Sequence, residues 1–267
     1  MKKNILIFIT FIGIIGFITI PTNSIFPFKT DNFDVDILGN IYVVHEAELL
    51  KYDDKLKQQA TYINLSLGEI DMIDASDAMN LLVFYKDFAK LVFLDNTLSV
   101  KKSAIDLGEL GFPNASLACL SYNNGFWIFD PVNQELVRIT QFLEVGERSG
   151  NLNQIINTEL EPDQLFESGS KVYLKDYDEG IFVFDRYGGY LKRLPFFNLD
   201  DLQIGNTSAL IMLRNDTTFT YNTQTLVLDT FINEFKSIQK ARITNRNIYY
   251  LMKNGIVIKK KHANSNF

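Results

Sequence analysis

A short pattern recurs along the chain: an apolar run of four or five residues ends at a polar residue, and a polar turn follows. The copies end at Asp53, Asp95, Asp130, Asp185 and Asn222, with a weaker one at Lys259. Their mean separation of about 41 residues fits a repeating unit of four short strands. Such units stack or close into a ring, so the pattern restricts the architecture before any motif is considered.

Composition supports a fold made of strands. Of 267 residues, 46% are hydrophobic and 13% aromatic, with 22 Phe and 12 Tyr but only 6 Pro. Aromatic and β-branched residues fit the half-buried surface of a pleated sheet. A core of this size excludes a disordered chain.

Tight turns between apolar runs indicate hairpins. The clearest are Asp178-Glu179-Gly180, Asn254-Gly255 and Asn124-Gly125. Gly and Asn accept the positive φ that a two-residue hairpin turn requires. We interpret each as the turn between the two middle strands of its unit.

In the third unit, this interpretation makes 117–122 and 126–129 the middle strands and 136–139 the outer strand. The 55 residues between Asp130 and Asp185 then contain an insertion at 142–162, with a turn of helix around Asn153–Asn157. Exposed loops on rigid scaffolds often bind ligands, so this insertion is one candidate surface.

The first unit carries the most specific resemblance. Its segment Val35–Val43, with the Gly39-Asn40 turn before an apolar strand, resembles the blades of NHL-type β-propellers. The whole chain is also similar to small secreted Bacteroidota propeller-like proteins through Gly39–Tyr42, Phe84–Phe88 and Gly180–Asp185. Pattern and resemblance together predict an all-β, six-bladed β-propeller of four-stranded antiparallel blades.

The two ends of the chain predict how the ring closes. The segment Ile25–Phe28 precedes the first inner strand and has no unit of its own, while few residues follow Lys259. We expect the N-terminal strand to pair as the outer strand of the last blade, which would cover an open sheet edge.

The first 24 residues predict a secretory leader. Lys2 and Lys3 precede the apolar run Ile5–Ile20, and Thr22-Asn23-Ser24 supplies small residues near a cleavage point. Residues 25–267 then form a single propeller domain without a membrane span, and an uncleaved anchor is the alternative. Cys119 is the only cysteine, so an internal disulfide is excluded. These features favour export to the periplasm or cell envelope of a Gram-negative bacterium.

Catalytic motifs are missing from the sequence. The only histidines are His45 and His262, so a histidine-based zinc site or a Ser/His/Asp triad is not expected. No catalytic residue, metal ligand or cofactor is predicted. Without Lys2 and Lys3, 24 basic residues face 32 acidic ones, a net charge of −8 that disfavours nucleic acid as a partner.

Two groups of residues are the candidates for binding. Acids in or beside the predicted inner strands could form a ligand or cation site in the channel: Asp34, Asp36, Asp71, Asp74, Asp163 and Glu167. Aromatic residues near turns could contact a partner: Tyr85, Phe88, Tyr187 and Tyr190. Trp127 lies in an all-apolar strand and is expected in the core.

Three functions remain open, one of them a structural part of the envelope held by an uncleaved N-terminal segment. The first is a monomeric, exported, non-enzymatic module that binds a protein or another envelope component. The alternative is a glycan hydrolase or lyase that uses carboxylates at the channel mouth. A convergent pair of acids would favour the enzyme, and acids held singly would favour the binding module.

Overall fold

The computed structural model describes Ser24–Phe26, Thr30, 32–205 and 209–261, which form 24 strands in six four-stranded sheets. Apart from Ser24, the predicted leader lies outside the described residues, as does His262. Each sheet is one blade, and its strands are named a to d from the channel outward. This confirms the predicted class, blade number and strand number.

The first three blades follow one another along the chain. Blade 1 contains β2 (Asn32–Val35), β3 (Ile41–His45), β4 (Glu48–Tyr52) and β5 (Gln58–Ile63). Blade 2 contains β6 (Met72–Asp74), β7 (Leu81–Tyr85), β8 (Lys90–Leu94) and β9 (Ile105–Asp106). Blade 3 contains β10 (Leu117–Ser121), β11 (Gly125–Asp130), β12 (Glu135–Ile139) and β13 (Val145–Arg148).

The last three blades include the closure of the ring. Blade 4 contains β14 (Pro162–Ser168), β15 (Lys171–Asp176), β16 (Gly180–Asp185) and β17 (Tyr190–Leu194). Blade 5 contains β18 (Asp201–Ile204), β19 (Ala209–Arg214), β20 (Thr217–Asn222) and β21 (Leu228–Ile232). Blade 6 contains β22 (Ile238–Ile243), β23 (Asn247–Met252), β24 (Gly255–Lys260) and, as strand d, β1 (Ser24–Phe26).

The N-terminal strand closes the ring as the sequence predicts. β1 runs antiparallel to β24, with Ile25 opposite Val257 and Phe26 opposite Ile256. The strand therefore supplies backbone partners to an edge that would otherwise be open. It also ties the start of the described chain to its end.

Short helices occupy a few connections. Single 3₁₀ turns span Leu65–Leu67, Lys86–Phe88 and Tyr122–Asn124. Asn151 caps the helix α1 (Leu152–Ile156), and its side chain accepts a hydrogen bond from the Gln154 amide at 2.9 Å. This confirms the helical turn predicted in this region. In the part of the chain that the structure describes, no helix is long and apolar enough to cross a membrane.

The core consists of separate apolar layers between neighbouring blades. Trp127 is fully buried in the layer between blades 3 and 4, where it joins Leu174 and Phe182. Middle strands read as continuous apolar runs because another blade covers each of their faces; β7 is buried along its whole length. Each fully buried Leu or Phe contributes about 1.5–3 kcal/mol relative to exposure.

The predicted strand assignment of blade 3 is wrong. Its inner strand is β10, so the turn before Gly125 joins strands a and b and not the two middle strands. Asp130 therefore ends strand b, and residues 136–139 belong to strand c. Thr140 holds the position of the repeated Asp, and the supposed insertion contains the outer strand β13 and the link to blade 4. The sequence of a tight hairpin turn does not distinguish a turn between strands a and b from one between strands b and c.

The repeated Asp residues stabilise turns, as the turn interpretation expects. Asp185 Oδ1 accepts hydrogen bonds from the amides of Tyr187 at 2.8 Å and Gly189 at 3.0 Å. Asp53 Oδ1 does the same for Lys55 at 3.0 Å and Lys57 at 2.9 Å. A short carboxylate side chain satisfies backbone donors that the turn leaves unpaired.

Candidate functional site

The inner strands surround a central channel of about 800 Å³. Its wall is mostly polar, and five of the six predicted acids lie along it with an exposed or half-buried side chain. The channel is therefore the main candidate for a binding or catalytic site. What the acids can do depends on the partners they already have.

Side chains on the inner strands bind the backbone of the following blade. Asp34 Oδ2 in blade 1 accepts a hydrogen bond from the Ala75 amide at 3.2 Å, and Asp74 Oδ2 in blade 2 accepts one from Leu120 at 2.8 Å. Burial raises the pKa of Asp74. These acids act as acceptors between blades, because inner strands of neighbouring blades share no ladder of their own.

Contacts between inner strands of neighbouring blades continue around the ring through the neutral side chains of Ser121, Gln164 and Gln203. Ser121 in blade 3 donates to Glu167 Oε2 in blade 4. Gln164 Oε1 accepts from the Leu202 amide at 2.9 Å, and Gln203 Oε1 accepts from the Ile243 amide at 2.7 Å. We call this set of contacts the inter-blade ring.

Arg242 closes the inter-blade ring between blades 5, 6 and 1. Its Nη1 donates to Asp201 Oδ2 at 2.7 Å, and its Nε donates to Asp34 Oδ1 at 2.8 Å. The side chains of Arg242 and Asp201 are 5% and 4% exposed, so the charges depend on each other and not on water. Neither Arg242 nor Asp201 was a candidate from sequence, because each partner lies in another blade.

The Glu167 carboxylate is also engaged by several hydrogen bonds within the protein. Besides Ser121, it accepts a hydrogen bond from Trp127 Nε1 at 2.8 Å and one from the Tyr122 amide at 3.4 Å. A carboxylate with three donors is held in one orientation by contacts within the protein. It also satisfies the indole N–H of the buried tryptophan.

The remaining three predicted acids do not converge. Asp36 is 1% exposed and stabilises the first turn of blade 1, accepting from the Leu38 amide at 2.9 Å. Asp71 Oδ2 accepts from the Lys86 amide at 2.7 Å, and burial raises its pKa. Asp163 pairs with the buried Lys175 at 2.6 Å.

Lys240 is a channel residue that the sequence reasoning missed. Its Nζ donates to Asn32 Oδ1 at 2.7 Å. Burial, helped by the nearby Arg242 charge, lowers its pKa to about 8. In the sequence, Lys240 is a single Lys in a strand that mixes polar and apolar residues, and nothing in this pattern indicates that it faces the channel.

The predicted contact aromatics are dispersed. Tyr85 is fully buried, with its hydroxyl 3.2 Å from that of Tyr62, so the expectation of exposure is wrong for this residue. Tyr190 is half-buried and packs its ring 5.8 Å from that of Phe184. Phe88 and Tyr187 are exposed, at 52% and 66%.

Strand order divides the connections between two faces of the ring. Because successive strands are antiparallel, the b–c and d–a connections lie on one face and the a–b and c–d connections on the other. Phe88 lies in a b–c turn and Tyr187 in a c–d turn. The two exposed aromatics are therefore on opposite faces and cannot form one surface.

The two faces differ in charge. We call the b–c and d–a side the acidic face. Its exposed acids in the described connections are Glu46, Glu69, Asp71, Asp87, Glu109, Glu159, Glu161, Asp178, Asp200 and Glu234. Its exposed bases there are Lys86, Lys236 and Lys253. On the opposite face, the exposed acids are Asp54, Asp77 and Glu144, and the exposed bases are Lys55, Lys57, Lys101, Lys102 and Arg246.

The described residues form neither a metal-binding cluster nor a nucleophilic thiol site. No three His, Cys, Asp or Glu side chains there are grouped to hold a metal ion. Cys119 is buried in a strand between blades, and burial raises the pKa of its thiol well above the usual value. A thiol of this kind is an apolar packing group and not a nucleophile.

These features define the class: a six-bladed β-propeller with a polar channel and one acidic face. No protein-family model and no curated protein sequence matches the chain. The fold is shared with solved structures. A streptogramin B lyase has a TM-score of 0.60 at 12% identity over 86% of this chain and 78% of the lyase.

Two further solved structures share the fold. BBS1N in complex with ARL6DN has a TM-score of 0.57 at 15% identity over 88% of this chain and 78% of that chain. The extracellular domain of the one-component system BT4673 from B. thetaiotaomicron has a TM-score of 0.56 at 14% identity over 84% of this chain and 31% of that chain. Identities this low establish the fold alone.

Proposed function

We propose that the protein is a non-enzymatic propeller that binds a protein or another envelope component through its exposed connections. One observation carries the proposal: the predicted channel acids are held singly by contacts within the protein. Asp34 and Glu167, for example, are engaged by Arg242 and by Trp127. Catalysis by two acids requires a pair that faces a shared substrate bond.

Export is part of the same proposal. The apolar run and Thr22-Asn23-Ser24 support a cleaved leader, and cleavage after Ser24 leaves Ile25 and Phe26 of β1 in the mature chain. Cys119 is the only cysteine, so the chain can form no internal disulfide, which supports a bacterial envelope as the location of an exported protein. Mass spectrometry of the mature N-terminus tests it: a start near Ile25 is expected, and an intact Met1 contradicts cleavage.

A glycan lyase or hydrolase is the second candidate. It is supported by the channel, where the Asp163 side chain is 48% exposed beside Lys175. In this candidate Asp163 would exchange protons with a substrate at the channel mouth, with Lys175 holding its charge. Asp176 carries a second carboxylate whose charge acts on Asp163, but it is 4% exposed and already accepts hydrogen bonds from three backbone amides, which argues against it as a partner acid.

One pair of assays separates the candidates. The purified protein is incubated with a panel of bacterial and plant polysaccharides, and products are followed by reducing-end release and by absorbance of unsaturated sugars. The binding proposal expects no turnover. Turnover that is lost in Asp163→Asn, with unchanged thermal stability, would establish the enzyme and refute the proposal.

A further inference from the structure

The acidic face has an apolar patch between blades 1 and 2. Leu65, in the link between these blades, is 77% exposed, and Phe88 in the b–c turn of blade 2 is 52% exposed. The Phe88 ring lies against Gly68, where a Cβ would be only 3.0 Å from its edge. Two large apolar side chains are thus exposed on this face.

Backbone hydrogen bonds bring four carboxylates to the same patch. The Ile70 amide donates to the Glu46 carbonyl at 2.9 Å, so Glu46 lies next to the link that carries Glu69 and Asp71. The Lys86 amide donates to Asp71 Oδ2 at 2.7 Å, and Asp87 follows in the same turn. Asp87 also raises the pKa of Asp71, after burial, which is consistent with close negative charges.

Three of these four carboxylates differ from those of the channel, to which Asp71 also belongs. Among the described residues, Glu46, Glu69 and Asp87 form no ion pair and accept no side-chain hydrogen bond, and all three are exposed. Exposed charges without partners keep their full capacity to attract a cation. The patch therefore combines apolar contact area with negative charge that exceeds the single positive charge of Lys86, the exposed base in the same turn.

We propose that this patch docks a partner protein segment that carries Lys or Arg beside apolar side chains. Leu65 and Phe88 supply the apolar contact, and Glu46, Glu69 and Asp87 surround it with charge. The inference rests on the binding function proposed above and names the face and the partner chemistry. Aromatic contacts near the centre of an interface dominate affinity, while charges at the rim set the rate and the salt dependence.

Charge complementarity selects this occupant over the others. A second copy of the chain that presented the same face would bring like charges together, which disfavours a symmetric dimer here. An anionic membrane surface is repelled for the same reason. Small cations would leave Leu65 and Phe88 exposed, so they account for the charges but not for the apolar groups.

The test uses a defined probe. A fluorescent ten-residue peptide that alternates Lys or Arg with Leu and Phe is titrated with the purified protein at low and at physiological salt. One control peptide carries Glu in place of every base, and a second keeps the bases but replaces Leu and Phe by Ser. Binding only of the first peptide, weakening as salt is raised, is the expected result.

Substitutions in the patch test whether the peptide binds there. Phe88→Ala is expected to weaken the peptide by about tenfold, the size of a typical contact residue. The double variant Glu69→Lys/Asp87→Lys is expected to weaken it by about tenfold and to flatten the salt dependence. The matched control is Asp54→Lys/Glu144→Lys, which makes the same charge change on the opposite face and should retain binding.

Each outcome decides the inference. Equal loss in both double variants would mean that only net charge matters and would overturn it. Equal binding of the Glu peptide, or no loss in Phe88→Ala, would overturn it too. None of these peptide results contradicts the proposed binding function. That function is tested separately, by the polysaccharide assay, and turnover there would contradict it.

Discussion

Replacing Arg242 by Met tests the inter-blade ring directly. Met keeps most of the buried stem volume but removes the guanidinium that holds Asp34 and Asp201 across three blades. The carboxylate of Asp201, 4% exposed, then loses its cation without gaining water. The expected result is a large loss of stability with little change in structure.

The size of the loss follows from the partners that remain. Removing one member of a buried ion pair costs about 3–5 kcal/mol. Asp201 keeps the Ala241 amide at 3.0 Å and the Gln164 amide nitrogen at 2.8 Å, and Asp34 is 17% exposed. We therefore expect the lower end, about 3 kcal/mol, which corresponds to about 6–12 °C in Tm.

Urea unfolding at pH 7 measures this loss, with Arg242→Lys as the charge-retaining comparison. Adding Asp201→Asn to Arg242→Met should recover part of the stability, because the uncompensated charge is removed. A loss below about 1 kcal/mol, the range of exposed pairs, would refute the claim that the ring holds the blades together.

Two further predictions concern closure and pH. Deleting Ile25 and Phe26, which lie opposite Val257 and Ile256, removes the outer strand of blade 6 and should lower Tm by about 5 °C or more in differential scanning calorimetry; an unchanged Tm would contradict closure by β1. Because the Lys240 pKa is lowered to about 8 in the folded protein, the unfolded chain binds more protons between about pH 8 and 10.5, so this residue makes stability rise with pH across that window. Lys240→Met should flatten the rise in a pH series of urea unfolding, and an equally steep rise in the variant would assign it to other groups.

The site was less predictable than the fold. The sequence marked Asp34, Asp74 and Glu167 as inner-strand acids, and the structure places all three beside the channel. It did not reveal Arg242, because a salt bridge between blades joins residues that are far apart in the chain. Phe88 was marked as a contact residue, yet the unpaired acids around it became visible only once the connections were sorted between two faces.

The sequence by itself determined the number of blades, the strand composition and most turns, because each depends on residues within one repeat of about 41 positions. Gly180 and Asp185, for instance, mark their turns through local φ preference and local hydrogen bonds. Tertiary structure alone decided the strand assignment of blade 3, the partners of the channel acids and the charge of each face. These depend on which strand of which blade lies alongside, and hairpin turns of identical chemistry serve at both ends of a blade.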